Sequence, residues 1–393
     1  MTRIRLLLPI VLAAWLLAGA GGAQAMTGDK AELQKLADGV YAYVGKRNDA
    51  NAMVIVTSQG VVLVNTANSQ PDTRDLQAKI RSVTDQPVRY VVITQNHGDH
   101  IGGTPLFSPP ATVIVHDKVA RDIAAMKPYQ VKSWQKRFPE RAEALQDVQP
   151  IDTMVSFSDR MTLHVGGKRI ELIYVDDPDN IGDVLVWIPE AGVLHDAFGG
   201  YKGRHPDLRP DYSHGTSWGM LKEIEAGLQL KPRLVVPNHG PVMSYGDLAN
   251  MVDYLLLARQ KVRTMIEQKK PLAEVVKTFK MDEYAGWDRT SHYDWIAETI
   301  WRELQGMGPV VVKISEKQGK GTIARLAEEG RYITATDEGG KELRLRISSD
   351  SNIEGIADRS QFKVGQKFTA LYQVPENFNP ALGYDVEEML VTP

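Results

Sequence analysis

The feature that most constrains this chain is a buried strand that runs straight into a cluster of metal-binding side chains. Val88 to Thr94 is apolar enough to be covered on both faces, and it delivers the backbone to Gln95-Asn96-His97-Gly98-Asp99-His100. Two histidines and an aspartate within four residues, held at a strand end, can point several donors at one spot. Neutral imidazole and carboxylate suit zinc, and a mixed nitrogen and oxygen set also admits iron or manganese. Gly98, Gly102 and Gly103 are expected to let the backbone turn sharply between ligands. A fold built around this loop must bury the strand behind it.

The flanking sequence supplies such a fold. Val40 to Val44, Met53 to Val56 and Val61 to Val64 read as strands joined by hairpins. A helix opened by Ser69 and Pro71 follows, with Leu76, Ile80 and Val83 at three-to-four spacing. Further strands are predicted at Thr112 to Val115, Ile170 to Val175, Val184 to Ile188 and Leu234 to Val236, with a polar helical region around 117–147. Leu248, Met251, Leu255, Ala258, Val262 and Ile266 share one face of a helix over 246–267, and another helix covers 293–305. Strands flanked by helices on both sides imply an α/β sandwich of two sheets. After Gly306 and Gly308 the texture changes to short strands with a Gly339-Gly340 turn, so 309–393 reads as a small antiparallel β-barrel following a domain over 26–305.

The run Gln95-Asn96-His97-Gly98-Asp99-His100-Ile101-Gly102-Gly103 resembles the His-Xaa-His-Xaa-Asp-His signature of the metallo-β-lactamase superfamily, with glutamine at the first ligand position. Gly39-Val40-Tyr41, Val83 to Val88 and Val235-Val236-Pro237-Asn238-His239-Gly240-Pro241 are similar to other landmarks of that family, over about residues 35–265. The resemblance implies an αββα sandwich and one or two divalent ions, zinc first. One metal would be held by Asp99, His100 and His239, with Asp196 bridging. The other would have His97, Asp196, Gln95 and Asp179, or Asp177 in the alternative register. Asn65 stands where many members carry aspartate. His195 adjoins Asp196 and is expected to support a ligand through a ring hydrogen bond.

Arg3 and Arg5, an apolar run from Ile4 to Ala18 and Ala23-Gln24-Ala25 match a cleaved signal peptide over 1–25. Export without a single cysteine points to a bacterial periplasm, and any metal must use nitrogen and oxygen donors. Removing the signal leaves 44 basic against 49 acidic residues, about −5, so nucleic acid is not an expected partner. No later stretch is apolar and long enough to span a membrane.

These readings converge on an exported hydrolase in which metal-bound hydroxide, oriented by Asp99, attacks an ester, thioester, amide or lactam bond of a small-molecule substrate. The competing reading is a non-catalytic member that binds metal or ligand and acts with a periplasmic protein partner through the β-barrel. Gln95, Asp179 and Asn65 favour it, while Asp99, His100, Asp196 and His239 favour the enzyme. A third reading, redox chemistry at two irons, would need an electron carrier, and the sequence shows no flavin or haem signature. The polar stretch 201–216, with Lys202, Arg204, His205, Arg209 and His214, reads either as an anion contact or as a solvated loop.

Overall fold

The computed structural model describes residues 30–46, 50–67, 70–95, 97–108, 110–121, 154–175, 183–210, 215–308, 314–327, 332–347, 352–356, 361–375 and 384–392. The signal-peptide segment, most of the helical region around 117–147, and Asp177 and Asp179 lie outside them.

The first sheet has seven strands in chain order: β1 (Glu32–Ala37), β2 (Val40–Val44), β3 (Ala52–Thr57), β4 (Gly60–Val64), β5 (Val88–Ile93), β6 (Thr112–His116) and β7 (Met154–Phe157). Pairing is antiparallel as far as β4 and parallel from there. The switch occurs where α1 (Gln70–Arg81) carries the chain across to β5, because parallel neighbours need a crossover rather than a hairpin. The second sheet contains β8 (Arg160–Val165), β9 (Lys168–Tyr174), β10 (Val184–Ile188), β11 (Val193–Asp196), β12 (Leu234–Pro237) and β13 (Met243–Ser244), ordered β13-β12-β11-β10-β9-β8. Its one parallel pair, β11 with β12, is bridged by the helix α3 (Ser217–Gln229).

Side-chain alternation sorts the core into layers. Val62 and Val64 of β4 pack between the two sheets with Val92, Ile114, Ile170, Leu172, Val186 and Val236. Val61 and Leu63 face the other way, onto Leu76 and Ile80 of α1. The outer face of the second sheet carries Leu185, Leu194 and Val235 beneath α3 (Ser217–Gln229), α4 (Tyr245–Glu267), α5 (Leu272–Thr278) and α6 (Tyr293–Leu304). The order is therefore helix, sheet, sheet, helix. Thr216 caps α3 and Ser244 with Asp247 forms a capping box on α4, which fixes both helix starts.

The C-terminal strands β14 (Ile314–Ala327), β15 (Tyr332–Asp337), β16 (Glu342–Arg346), β17 (Asn352–Glu354), β18 (Lys367–Pro375) and β19 (Tyr384–Thr392) enclose their own apolar cluster. The expected C-terminal antiparallel module is present as a six-stranded, mainly antiparallel sheet ordered β16-β15-β14-β18-β19-β17. One additional parallel pairing joins β16 to β19. Arg346 of this sheet stacks 5.0 Å over the ring of Trp295 on α6, and Arg209 lies 5.0 Å from the same ring. Among the described residues no helix is long and apolar enough to cross a membrane.

Candidate metal centre

The parallel run β4-β5-β6 places its strand ends at one edge, and the short helix α2 (Gly98–Ile101) opens there directly after β5. Asp99 Oδ2 stands 3.1 Å from Nε2 of His239 and 3.4 Å from Nε2 of His100. The two imidazoles meet edge to face, their centroids 5.2 Å apart. Among the described residues, these three alone bring histidine, aspartate or glutamate ligand atoms within 4.8 Å of one another. His100 is fully buried, whereas Asp99 and His239 keep 30% and 22% of their side chains exposed, so the cluster has one open edge.

The electrostatics suit a cation. Burial acts to raise the Asp99 carboxyl, but the neighbouring His100 and His239 rings outweigh it and hold it well below the usual carboxylate range. Burial pushes the His100 ring down to about 3, against the opposing pull of Asp99, so it is neutral and able to ligate at neutral pH. Its Nε2, aimed at Asp99, makes no hydrogen bond although no solvent reaches it. A buried nitrogen left bare beside a carboxylate and a second imidazole fits a divalent ion.

Buried amides hold the donors in place. Asn65 sits at φ 60° and accepts from Thr94 N at 3.1 Å, with its Nδ2 3.4 Å from Nδ1 of His100. Asn51 donates to the carbonyls of Pro237 and Gly240 at 2.8 and 2.7 Å and accepts from Gly45 N at 2.9 Å, clamping the loop that carries His239. Asn65 was marked in the sequence only by standing where many members carry aspartate, and Asn51 not at all, since a lone asparagine in a strand-end turn has no distinguishing signal. The glycine expectation needs correction at Gly103, whose φ is −86°. Its value is room: a Cβ there would stand 2.0 Å from Thr73 Oγ1 and 2.3 Å from the Thr66 carbonyl oxygen.

The remaining expected ligands are distributed unevenly. His97 is half-buried and close enough for its charge to act on Asp99 and His100. Gln95 is buried, donates from Nε2 to the Ala197 carbonyl at 3.3 Å, and leaves Oε1 without a hydrogen bond. Asp196 lies outside the Asp99, His100 and His239 group. Its carboxylate accepts from Gly199 N at 3.1 Å and sits against Glu223 of α3, which accepts from Phe198 N at 2.9 Å. Asp183 is the third member of this buried acidic cluster. Burial first, then mutual repulsion, pushes Asp183 up to about 8 and Glu223 well above its ordinary value. Glu223 was findable, as a glutamate lodged among Met220, Leu221 and Ile224 on an apolar helix face.

Two other histidine readings change. The ring hydrogen bond expected of His195 is absent, because neither nitrogen has a partner. The 201–216 stretch is no solvated loop over its described part: Arg204 and His205 are buried, and His205 Nδ1 pairs with the Tyr254 hydroxyl at 2.9 Å. His116 plays a structural part, stacking on Tyr174 with centroids 3.8 Å apart.

Known proteins share this fold. The profile of the metallo-beta-lactamase superfamily matches residues 45–242. The chain is 23% identical over 214 residues to a metallo-beta-lactamase type 2 of Bacillus cereus, covering 54% of this chain and 75% of that protein. Among solved structures it is similar to a metallo-beta-lactamase family protein from Thermus thermophilus, with TM-score 0.51, 17% identity, and 72% and 97% of the two chains covered. It is also similar to the stereoselective inverting sec-alkylsulfatase of a Pseudomonas species, with TM-score 0.54, 14% identity, and 70% and 50% covered. The chain belongs to the metallo-beta-lactamase superfamily, and its kind is that of a metal-dependent hydrolase.

Proposed function

We propose that this chain is an exported zinc-dependent hydrolase that opens an ester, thioester, amide or lactam bond in a small-molecule substrate. The observation that carries the reading is the Asp99, His100 and His239 cluster, in which an ionised carboxylate and two imidazoles converge at a partly open edge. Asp99, His100 and His239 would hold the ion, with His97 and Gln95 beside it. A divalent ion would supply Lewis acidity toward the scissile carbonyl and would lower the pKa of a water towards about 7.

The chain's own residues divide the remaining work. Asp99, kept ionised by its histidine neighbours, accepts a hydrogen bond from the attacking water and so aims it. His100, buried and neutral, anchors from beneath without competing for solvent protons. The exposed edges of Asp99 and His239 form the side from which substrate arrives. Export rests on the Arg3 to Ala25 pattern, and the C-terminal sheet is the natural contact for a protein partner.

A second reading, a metal-binding member without turnover, draws support from Asp196 lying with Glu223 rather than in the cluster. Metal analysis of protein purified without chelator, followed by assays on an ester and lactam panel, separates the two. The hydrolase reading expects at least one zinc per chain and turnover on one panel member. Bound zinc with no turnover on any substrate favours the second reading, and less than about half an equivalent of metal overturns both.

A further inference from the structure

The strand β11 carries a histidine that the mechanism above leaves unused. Leu194 packs with the helices on the outer face and Val193 packs between the sheets, so alternation sends His195 inward, between the sheets. Its register neighbours, Val186 on β10 and Val236 on β12, belong to that same inter-sheet cluster. His195 sits at the end of the second sheet where the metal loop gathers: Val184 N of β10 donates to Thr94 O, and His239 follows Val236 by three residues.

The side chain is 0% exposed, and neither Nδ1 nor Nε2 has a hydrogen-bond partner. A neutral imidazole has one N–H and one lone pair, and either tautomer leaves both unmet here. Such a double deficit in an interior is costly and calls for an unseen partner. Two further atoms at this end of the sheets, Gln95 Oε1 and His100 Nε2, are likewise buried without a hydrogen bond. Gln95 turns its Nε2 to Ala197 O, two residues beyond His195, which leaves its Oε1 as the open lone-pair group. His100 lies near enough for its charge to feel both His195 and His97.

We propose that His195 is a metal ligand, supplying to the position flanked by His97 and Gln95 the imidazole that glutamine cannot. The proposal rests on the reading that Asp99, His100 and His239 hold a first ion. It adds a second one seated deeper, with two nitrogen donors and one amide oxygen, a set that suits zinc. The usual histidine at position 95 is thus replaced from the opposite sheet. Its replacement arrives through the interior rather than from the loop.

The test uses the full chain, stripped of metal and reloaded with zinc, comparing the wild type with His195→Leu and His195→Gln. Zinc content after desalting and the zinc-induced rise in Tm are the readouts. The expected result is two equivalents in the wild type and one in His195→Leu. The remaining equivalent keeps its affinity, and His195→Gln shows at least a tenfold weaker second site. Apo Tm checks folding, and replacing an orphaned polar ring by leucine should leave it equal or higher. A wild type that binds one zinc, or a His195→Leu protein that still binds two, overturns the proposal while leaving the first site standing. A wild type that binds none overturns the hydrolase reading together with it.

Discussion

The side-chain nitrogen of Asn65 lies 3.4 Å from Nδ1 of His100, and the amide is oriented by its Oδ1, which accepts from Thr94 N at 3.1 Å. This contact sets donor against the wrong tautomer. Ligation through Nε2 requires the proton on Nδ1, and that N–H needs an acceptor. Asn65 presents an NH2 group instead. A carboxylate would accept from both His100 and Thr94.

Asn65→Asp is therefore expected to tighten binding of the first zinc by roughly tenfold, the scale on which such outer partners act. Chelator competition measures it. Unchanged or weaker binding in Asn65→Asp would show that Nδ1 finds its acceptor elsewhere.

Asn51→Ala should loosen the loop that presents His239. Three buried hydrogen bonds vanish, two of them to the carbonyls of Pro237 and Gly240. The cost is about 2–4 kcal/mol in stability, at roughly 1 kcal/mol per bond plus the stranded carbonyls. Denaturant unfolding of the apo protein reads the stability, and zinc affinity should fall in parallel. Lost stability with unaltered affinity would remove Asn51 from the positioning of His239.

The buried acidic cluster makes the apo protein sensitive to alkali. Asp183 is raised to about 8 and Glu223 is also raised, so the folded state keeps protons that the unfolded chain releases above about pH 4. That stabilisation is complete below about pH 4 and is lost as the pH rises towards 8. Glu223→Gln should flatten this loss by up to about 1.4 kcal/mol per pH unit, the value of one proton. Urea unfolding at pH 6 and pH 8 in the presence of chelator checks the slope. Parallel pH profiles for the two proteins would exclude Glu223 as a proton holder.

Much of the frame was legible because period-two and period-four patterns are written in apolar residues. The alternation of Val61 to Val64 and the stripe from Leu248 to Val262 map onto the layers that cover them. Asp99 and His100 were legible because a buried strand leads straight into their loop. His239, far off in sequence, was reached only through its resemblance to a known landmark. Asp196 illustrates the limit. β11 is buried on both faces, so its hydrophobic pattern does not say which side is which, and only the packing of Leu194 with the helices reveals that Asp196 turns toward Glu223. Asn51, Asn65 and Asp183 act through contacts between distant segments, which a linear pattern of residue types does not encode.

The central claim is that Asp99, His100 and His239 form the principal metal site and that the Gln95 side is subordinate. Zinc content of His100→Ala and Gln95→Ala, each purified without chelator beside the wild type, tests this most directly. The account predicts that His100→Ala loses the tightly held zinc and all hydrolysis, whereas Gln95→Ala keeps that ion and gives up only the weaker one. Equal loss of metal from both variants, or full retention in His100→Ala, would contradict it.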